Sequence, residues 1–170
     1  MTSSVEIFFF PIGDSYAAIL DNGKDMNNVE LETAMRYGSQ NPNKKREITD
    51  LGRFGLGLKT AYLSQCRTLI VASKKGGNIE VRCWDIDHVI NTGEWSLIML
   101  DTEEEINAIP RIEKLRELES GTLVVWQNLD RLRVGELNFD RSMGRKMDDV
   151  RSHLSLVFHR YLTNERGKEG

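Results

Sequence analysis

Residues 51 to 61, Leu51-Gly52-Arg53-Phe54-Gly55-Leu56-Gly57-Leu58-Lys59-Thr60-Ala61, put three glycines and a lysine where a loop turns into a helix. Glycine reaches positive φ and leaves no Cβ in the way, so amide N–H groups close on an anion at the helix N-terminus. The chemistry such a loop offers is phosphate binding. Upstream, Asp21-Asn22-Gly23-Lys24-Asp25-Met26 follows an apolar strand and precedes a helix, which aims one carboxylate into a pocket as an acceptor for an exocyclic amine. Downstream, Gly121-Thr122 opens a strand. Each signal alone has a plainer reading: glycines cap helices, Asp-Asn-Gly makes a turn, and Gly-Thr starts a strand. The loop is not a Walker loop, for it lacks the Gly-Lys-Ser/Thr ending. No strand leads straight into it as a Rossmann fingerprint requires.

The elements that must position these residues follow from pattern. VEIFFF (5–10) and YAAIL (16–20) read as a hairpin around Gly13-Asp14-Ser15. Asn27 with Glu30, ahead of Val29, Leu31, Ala34 and Met35, predicts a capped helix ending near Gly38. Residues 39 to 51 are polar and carry Pro42, a loop composition, and a helix is expected from about Gly55 to Gln65. RTLIVASK and IEVRCWDID flank Gly76-Gly77 as a second hairpin, WSLIML is a further strand, and 103 to 118 is helical with a break at Pro110. TLVVWQ is a strand, and Val150, Leu154, Val157, Phe158 and Tyr161 recur at helical spacing in a helix over 148–162, expected to bury one face on a sheet. Mostly antiparallel strands with helices gathered on one face make a two-layer α+β sandwich, read here as one domain over 1–170.

The 170 residues carry a net charge of −3, without the basic surplus of a dedicated nucleic-acid binder. Apolar runs fall far short of the roughly 20 residues of a membrane span, and the N-terminal residues lack the positive region of a secretory signal. A cytoplasmic location is the expectation. Cys66 and Cys83 fit no metal spacing and read as reduced core thiols.

The ordered set, Asp-x-Gly, helix, polar loop, Gly-x-x-Gly-x-Gly-x-Lys and a late Gly-Thr on a strand, resembles the GHKL or Bergerat-fold ATPases. These include DNA gyrase B subunits, MutL, histidine kinases, the ninety-kilodalton heat-shock chaperones and the Morc proteins. AMRYGS before the loop and GRFGLGLKTAYLSQC after it are most similar to Morc-like and bacterial histidine kinase-like ATPases. The resemblance implies an adenine nucleotide, ATP or ADP, as ligand. Asp21 would bond the adenine amine, Gly23 would let the base approach, Met26 would pack on the ring, and Thr122 would support Asp21 and adenine through a water. Gly52, Phe54, Gly55, Leu56 and Gly57 would offer amides to the phosphates, with Lys59 adding a charge or standing as a solvated helix lysine. Residues 39–51 would be the lid.

Two departures bear on activity. Family members carry, before the first strand, a helix with a water-activating Glu and a Mg²⁺-holding Asn. No Glu-x-x-x-Asn stands ahead of Asp21 here, and Glu30 and Glu32 follow the first motif as surface carboxylates. The expectation is a chain that does not hydrolyse ATP, with no catalytic residue, no protein metal ligand, and Mg²⁺ arriving only with the nucleotide. Such a chain is either a piece of a longer ATPase or a reduced form kept as a binding, dimerisation or interaction module, with self-association or a downstream domain as partner. Second, Asp25 stands where the family's Asp-x-Gly-x-Gly has its last glycine. A carboxylate roughly 6 Å from a phosphate costs on the order of 1 to 3 kcal/mol at an effective dielectric of roughly 20 to 40, so weak binding is expected. Lys44-Lys45-Arg46 and the family's DNA-acting members raise a DNA-associated alternative, which the acidic balance disfavours for this domain alone.

Overall fold

The structure is a computed structural model of the chain, and it describes residues 4–11, 13–23, 25–36, 65–129 and 139–157. The lid (39–51), the loop Gly52 to Lys59, the Lys44-Lys45-Arg46 run, the helix expected over 55–65 apart from Gln65, and residues 158–162 lie outside the described residues. The chain divides into two compact units, Met1–Val134 and Gly135–Gly170.

The first unit carries β1 (Val5–Phe10), β2 (Tyr16–Asp21), α1 (Asn28–Met35), β3 (Thr68–Lys75), β4 (Asn78–Asp85), α2 (Ile86–Thr92), β5 (Ile98–Met99), α3 (Glu103–Asn107), α4 (Ile112–Glu117) and β6 (Gly121–Gln127). All six strands join one antiparallel sheet in the order β1-β2-β6-β3-β4-β5. The architecture is the expected α+β one. Both expected hairpins form. Between β3 and β4, Gly76 (φ 57°) and Gly77 (φ 88°) both take positive φ, which lets a two-residue turn follow the sheet's twist. Lys75 opposite Asn78 closes it.

The last strand in sequence is central in space. β6 inserts between β2 and β3, so Thr122 lies opposite Asp21 on one side and Ser73 on the other. Side chains alternate across a strand, so each face is a set of odd or even positions. Ala18, Leu20, Ile70, Ala72, Val81, Cys83, Leu123 and Val125 form one apolar face, covered by Ile106, Ile109, Ile112 and Leu115 of the α3–α4 segment. Thr102 caps α3 in a reciprocal box with Glu105, and Arg111 at φ 68° starts α4 after the break at Pro110. The opposite face carries α1, whose Leu31 and Met35 are fully buried. The helices thus stand on both sides of the sheet, α1 on one and α3–α4 on the other, rather than gathered on one face as expected, because the strands bury side chains at both odd and even positions.

α1 starts as its sequence predicts. Asn27 accepts from Glu30 N at 2.9 Å, and the Glu30 carboxylate accepts from Asn27 N at 2.9 Å. The helix ends at Met35, before Gly38, where the Trp84 indole N–H donates to the Met35 carbonyl at 3.0 Å. That bond satisfies one of the orphan acceptors every helix end presents.

Three boundaries differ from expectation. The strand through IEVRCWDID stops at Asp85, whose carboxylate caps a short helix, α2, through the N–H groups of Asp87 and His88. Only Ile98–Met99 of WSLIML pairs, with Arg82 and Cys83 at the sheet edge. In the second unit the helix, α5, spans Phe139–Val157 and so begins ahead of Asp148. Of its expected apolar face, Val150 is exposed and Leu154 half-buried. Both cysteines are buried thiols, and burial, with the nearby Asp85 charge, pushes the Cys83 thiol up to about 12. No helix among the described residues is long and apolar enough to cross a membrane.

Candidate functional site

Asp21 is the last residue of β2. Its Oδ1 accepts the Gly23 N–H at 2.8 Å, which folds Asp21-Asn22-Gly23 into a side-chain-closed turn. The second carboxylate oxygen has no hydrogen-bond partner among the described residues. Asn22 fastens the turn to β1: its Oδ1 accepts from Ser4 N at 2.8 Å and its N–H donates to Ser4 O at 3.3 Å. Gly23 is buried, and Met26 is half-buried.

Beside this turn lies the start of β6. A Cβ on Gly121 would stand 2.3 Å from the Asp21 carbonyl oxygen and 3.1 Å from Leu118 Cδ1. No real Cβ tolerates the first contact, so glycine at 121 is what lets β6 lie against the turn. Thr122 is buried and directly opposite Asp21. The sequence reading of Thr122 as a neighbour of Asp21 rested on resemblance, and the register brings the two side by side.

β3 supplies two residues that the sequence reading missed. Ser73 is fully buried; its Oγ accepts the Met26 N–H at 2.8 Å and reaches the Gly121 carbonyl at 3.4 Å. Two residues along, on the same face, Lys75 Nζ lies 3.1 Å from Glu30 Oε2 and 3.4 Å from Asp25 Oδ1. The Glu30 carboxylate, joined by Asp25, holds the Lys75 ammonium above its ordinary range. Nothing local in TLIVASKK marks either residue, because the contacts join positions far apart in the chain. Further along the same face Arg82, almost wholly buried, donates to the Val81 carbonyl at 2.7 Å and to Asn28 at the start of α1.

Asp21, Gly23, Met26 and Thr122 are therefore gathered at one end of the sheet, on the face that carries α1. Gly52, Phe54, Gly55, Leu56, Gly57 and Lys59 lie outside the described residues. A carboxylate at a strand end, with one oxygen bonded to the Gly23 N–H, can accept a further hydrogen bond from an amine.

Residues 3–122 match the family described as histidine kinase-, DNA gyrase B-, and HSP90-like ATPase. The match spans most of the chain, from β1 through β5 to the first two residues of β6, and the chain belongs to that family. No curated protein matches the chain closely.

Proposed function

We propose that this domain binds an adenine nucleotide, ATP or ADP, and that these 170 residues on their own do not hydrolyse it. Family membership supports an ATP-binding type of site. The observation that carries the finer reading is the Asp21 carboxylate, one oxygen spent on Gly23 and the other without a partner among the described residues, paired in register with Thr122. In this reading Asp21 accepts from the adenine amine, Gly23 admits the ring, Met26 packs on it and Thr122 supports Asp21. The amides of Gly52, Phe54, Gly55, Leu56 and Gly57 and the Lys59 ammonium take the phosphates, and Mg²⁺ comes with the nucleotide. Positioned donors bind phosphate, but water activation needs a base, and no Glu-x-x-x-Asn segment precedes Asp21. The Morc-like character of the 34–39 and 52–66 segments belongs to the same proposal.

Calorimetric titration of ATP, ADP and adenosine against wild type and Asp21→Asn tests it. An amide has one acceptor oxygen, so the variant must give up either the Gly23 turn or the ligand. ATP affinity falls about tenfold to a hundredfold, the range for losing a charge-assisted hydrogen bond. Unchanged affinity removes Asp21 from the site. Phosphate release with Mg²⁺ is expected at background; turnover abolished by Gly55→Asp would overturn the non-hydrolytic half.

A second reading, an interaction or self-association module, is favoured by one observation. Val5, Ile7 and Ile19 are exposed on neighbouring strands and share a face by register. A concentration-dependent mass in sedimentation without nucleotide binding would select it.

A further inference from the structure

Asp25 stands where the family pattern has a glycine, next to a turn that the reading above gives to a nucleotide. We propose that Lys75 is the positioning residue that makes this carboxylate compatible with an anionic ligand, by drawing it onto the end of β3 and neutralising it there. The inference rests on the adenine-nucleotide reading and names what sets the affinity of that site.

The side chain of Asp25 is 22% exposed, so its carboxylate is not simply dissolved in solvent. Its Oδ1 meets Lys75 Nζ at 3.4 Å. The same ammonium holds Glu30 Oε2 at 3.1 Å, and that oxygen also accepts the Asn27 N–H at 2.9 Å in the cap of α1. One lysine therefore fastens both ends of the segment from Asp25 to Glu30. Two positions earlier on β3, Ser73 takes the Met26 N–H at 2.8 Å. The two residues share a face because strand side chains repeat every second position. Lys75 is also held in place, since it closes the Gly76-Gly77 turn opposite Asn78.

The neighbouring lysine cannot stand in. Lys74 points to the other face, where its Nζ donates to the carbonyls of Arg116 and Leu118 at 2.6 Å each, at the end of α4. With Lys75 present, Asp25, Glu30 and Lys75 sum to one negative charge; without it they sum to two. A polyphosphate nearby registers that difference, and an uncharged nucleoside does not.

The test is a double-mutant cycle on the full chain: wild type, Lys75→Gln, Asp25→Gly and the double variant, titrated with ATP and with adenosine at low and high salt. Thermal melts confirm that each is folded, and Lys75→Arg serves as the charge-retaining control. Lys75→Gln is expected to weaken ATP binding about threefold to tenfold while leaving adenosine within about twofold, the scale of a partly exposed ion pair. The loss shrinks at high salt because screening acts on charge repulsion. It shrinks in the Asp25→Gly background because the partner carboxylate is gone, and Lys75→Arg retains ATP affinity. Equal weakening of ATP and adenosine would make Lys75 a prop for the turn and overturn the inference. So would a Lys75→Gln loss of the same size with and without Asp25. Wild type that binds neither ATP nor adenosine overturns the nucleotide reading and this inference with it; binding with uncoupled variants overturns the inference alone.

Discussion

The two faces of one sheet are built to different ends. On the face under α3 and α4, Ala18, Leu20, Ile70, Ala72, Leu123 and Val125 meet Ile106, Ile109, Ile112 and Leu115, all buried and all apolar. On the face under α1, buried Ser73, Arg82 and Thr122, one each from β3, β4 and β6, lie on the same side of the sheet as buried Leu69 and Val71 of β3. Ser73 is engaged with Met26 and Arg82 with Val81 and Asn28, Thr122 stands beside Asp21 in the ladder, and the buried Trp126 indole nitrogen on this face has no partner among the described residues. Buried polar groups stabilise little and cost much when orphaned. Polar burial in the strands is therefore weighted to the face that carries α1.

If the apolar face is the source of stability, truncating it should have the largest effect. Leu115 is fully buried in the middle of that cluster. Leu115→Ala is expected to cost about 2 to 5 kcal/mol in urea unfolding, through lost burial and the cavity left behind. Nucleotide affinity of the fraction still folded should stay within about twofold, as expected for a site on the opposite face. A collapse of affinity in folded protein would break the comparison.

Gly121→Ala lies at the seam. The new Cβ would fall 2.3 Å from the Asp21 carbonyl oxygen, so β6 and the Asp21 turn must part. The expected stability loss is about 1 to 3 kcal/mol, in the range of overpacking, with nucleotide binding lost beyond what stability explains. Ordinary affinity at reduced stability would mean that the turn relaxes without moving the Asp21 carboxylate.

What was legible in the sequence is what local signals write. The β1–β2 hairpin, the Gly76-Gly77 turn, the Asn27–Glu30 box and the break at Pro110 each rest on residues a few positions apart, and each is present. α2 escaped because Asp85, its cap, sits inside an apparently continuous β-branched run. β5 was overread because WSLIML has strand composition but only two residues meet β4. The placement of β6 between β2 and β3 is a long-range fact, and with it the roles of Gly121 and Ser73. Gly121-Thr122 was readable as a motif, but why the glycine is needed is visible only beside Asp21. The Asp25–Lys75 pair was invisible, so Asp25 read as a liability without its partner.

The apolar face also carries a pH signature. Burial raises the Cys83 thiol to about 12 from an ordinary value near 9. A raised folded-state value means stability is intact below about pH 9 and is lost as pH climbs toward 12, since the unfolded thiol ionises first. At pH 10 this one group withdraws about 1.4 kcal/mol. Urea curves at pH 8 and pH 10 should therefore differ more in wild type than in Cys83→Ala, whose lower baseline stability leaves the difference between the two pH values interpretable. An equal difference would show that other groups set the alkaline limb.

The smallest expected effect sharpens the polar side. Asn27→Ala removes the acceptor for Glu30 N and leaves that N–H to solvent, a loss of about 1 kcal/mol by the usual cost of an N-cap. α1 covers the polar face, so a looser start to α1 releases Glu30 from Asn27 N and with it one anchor of Lys75. The apolar face has no contact with this cap and should keep its protection. Amide exchange read strand by strand separates the cases. Faster exchange confined to α1 and the Met26 amide, with β6 and α4 unchanged, supports two faces that fail independently. Uniform acceleration across α4 as well would mean that the sheet transmits the loss and that its faces form one cooperative unit.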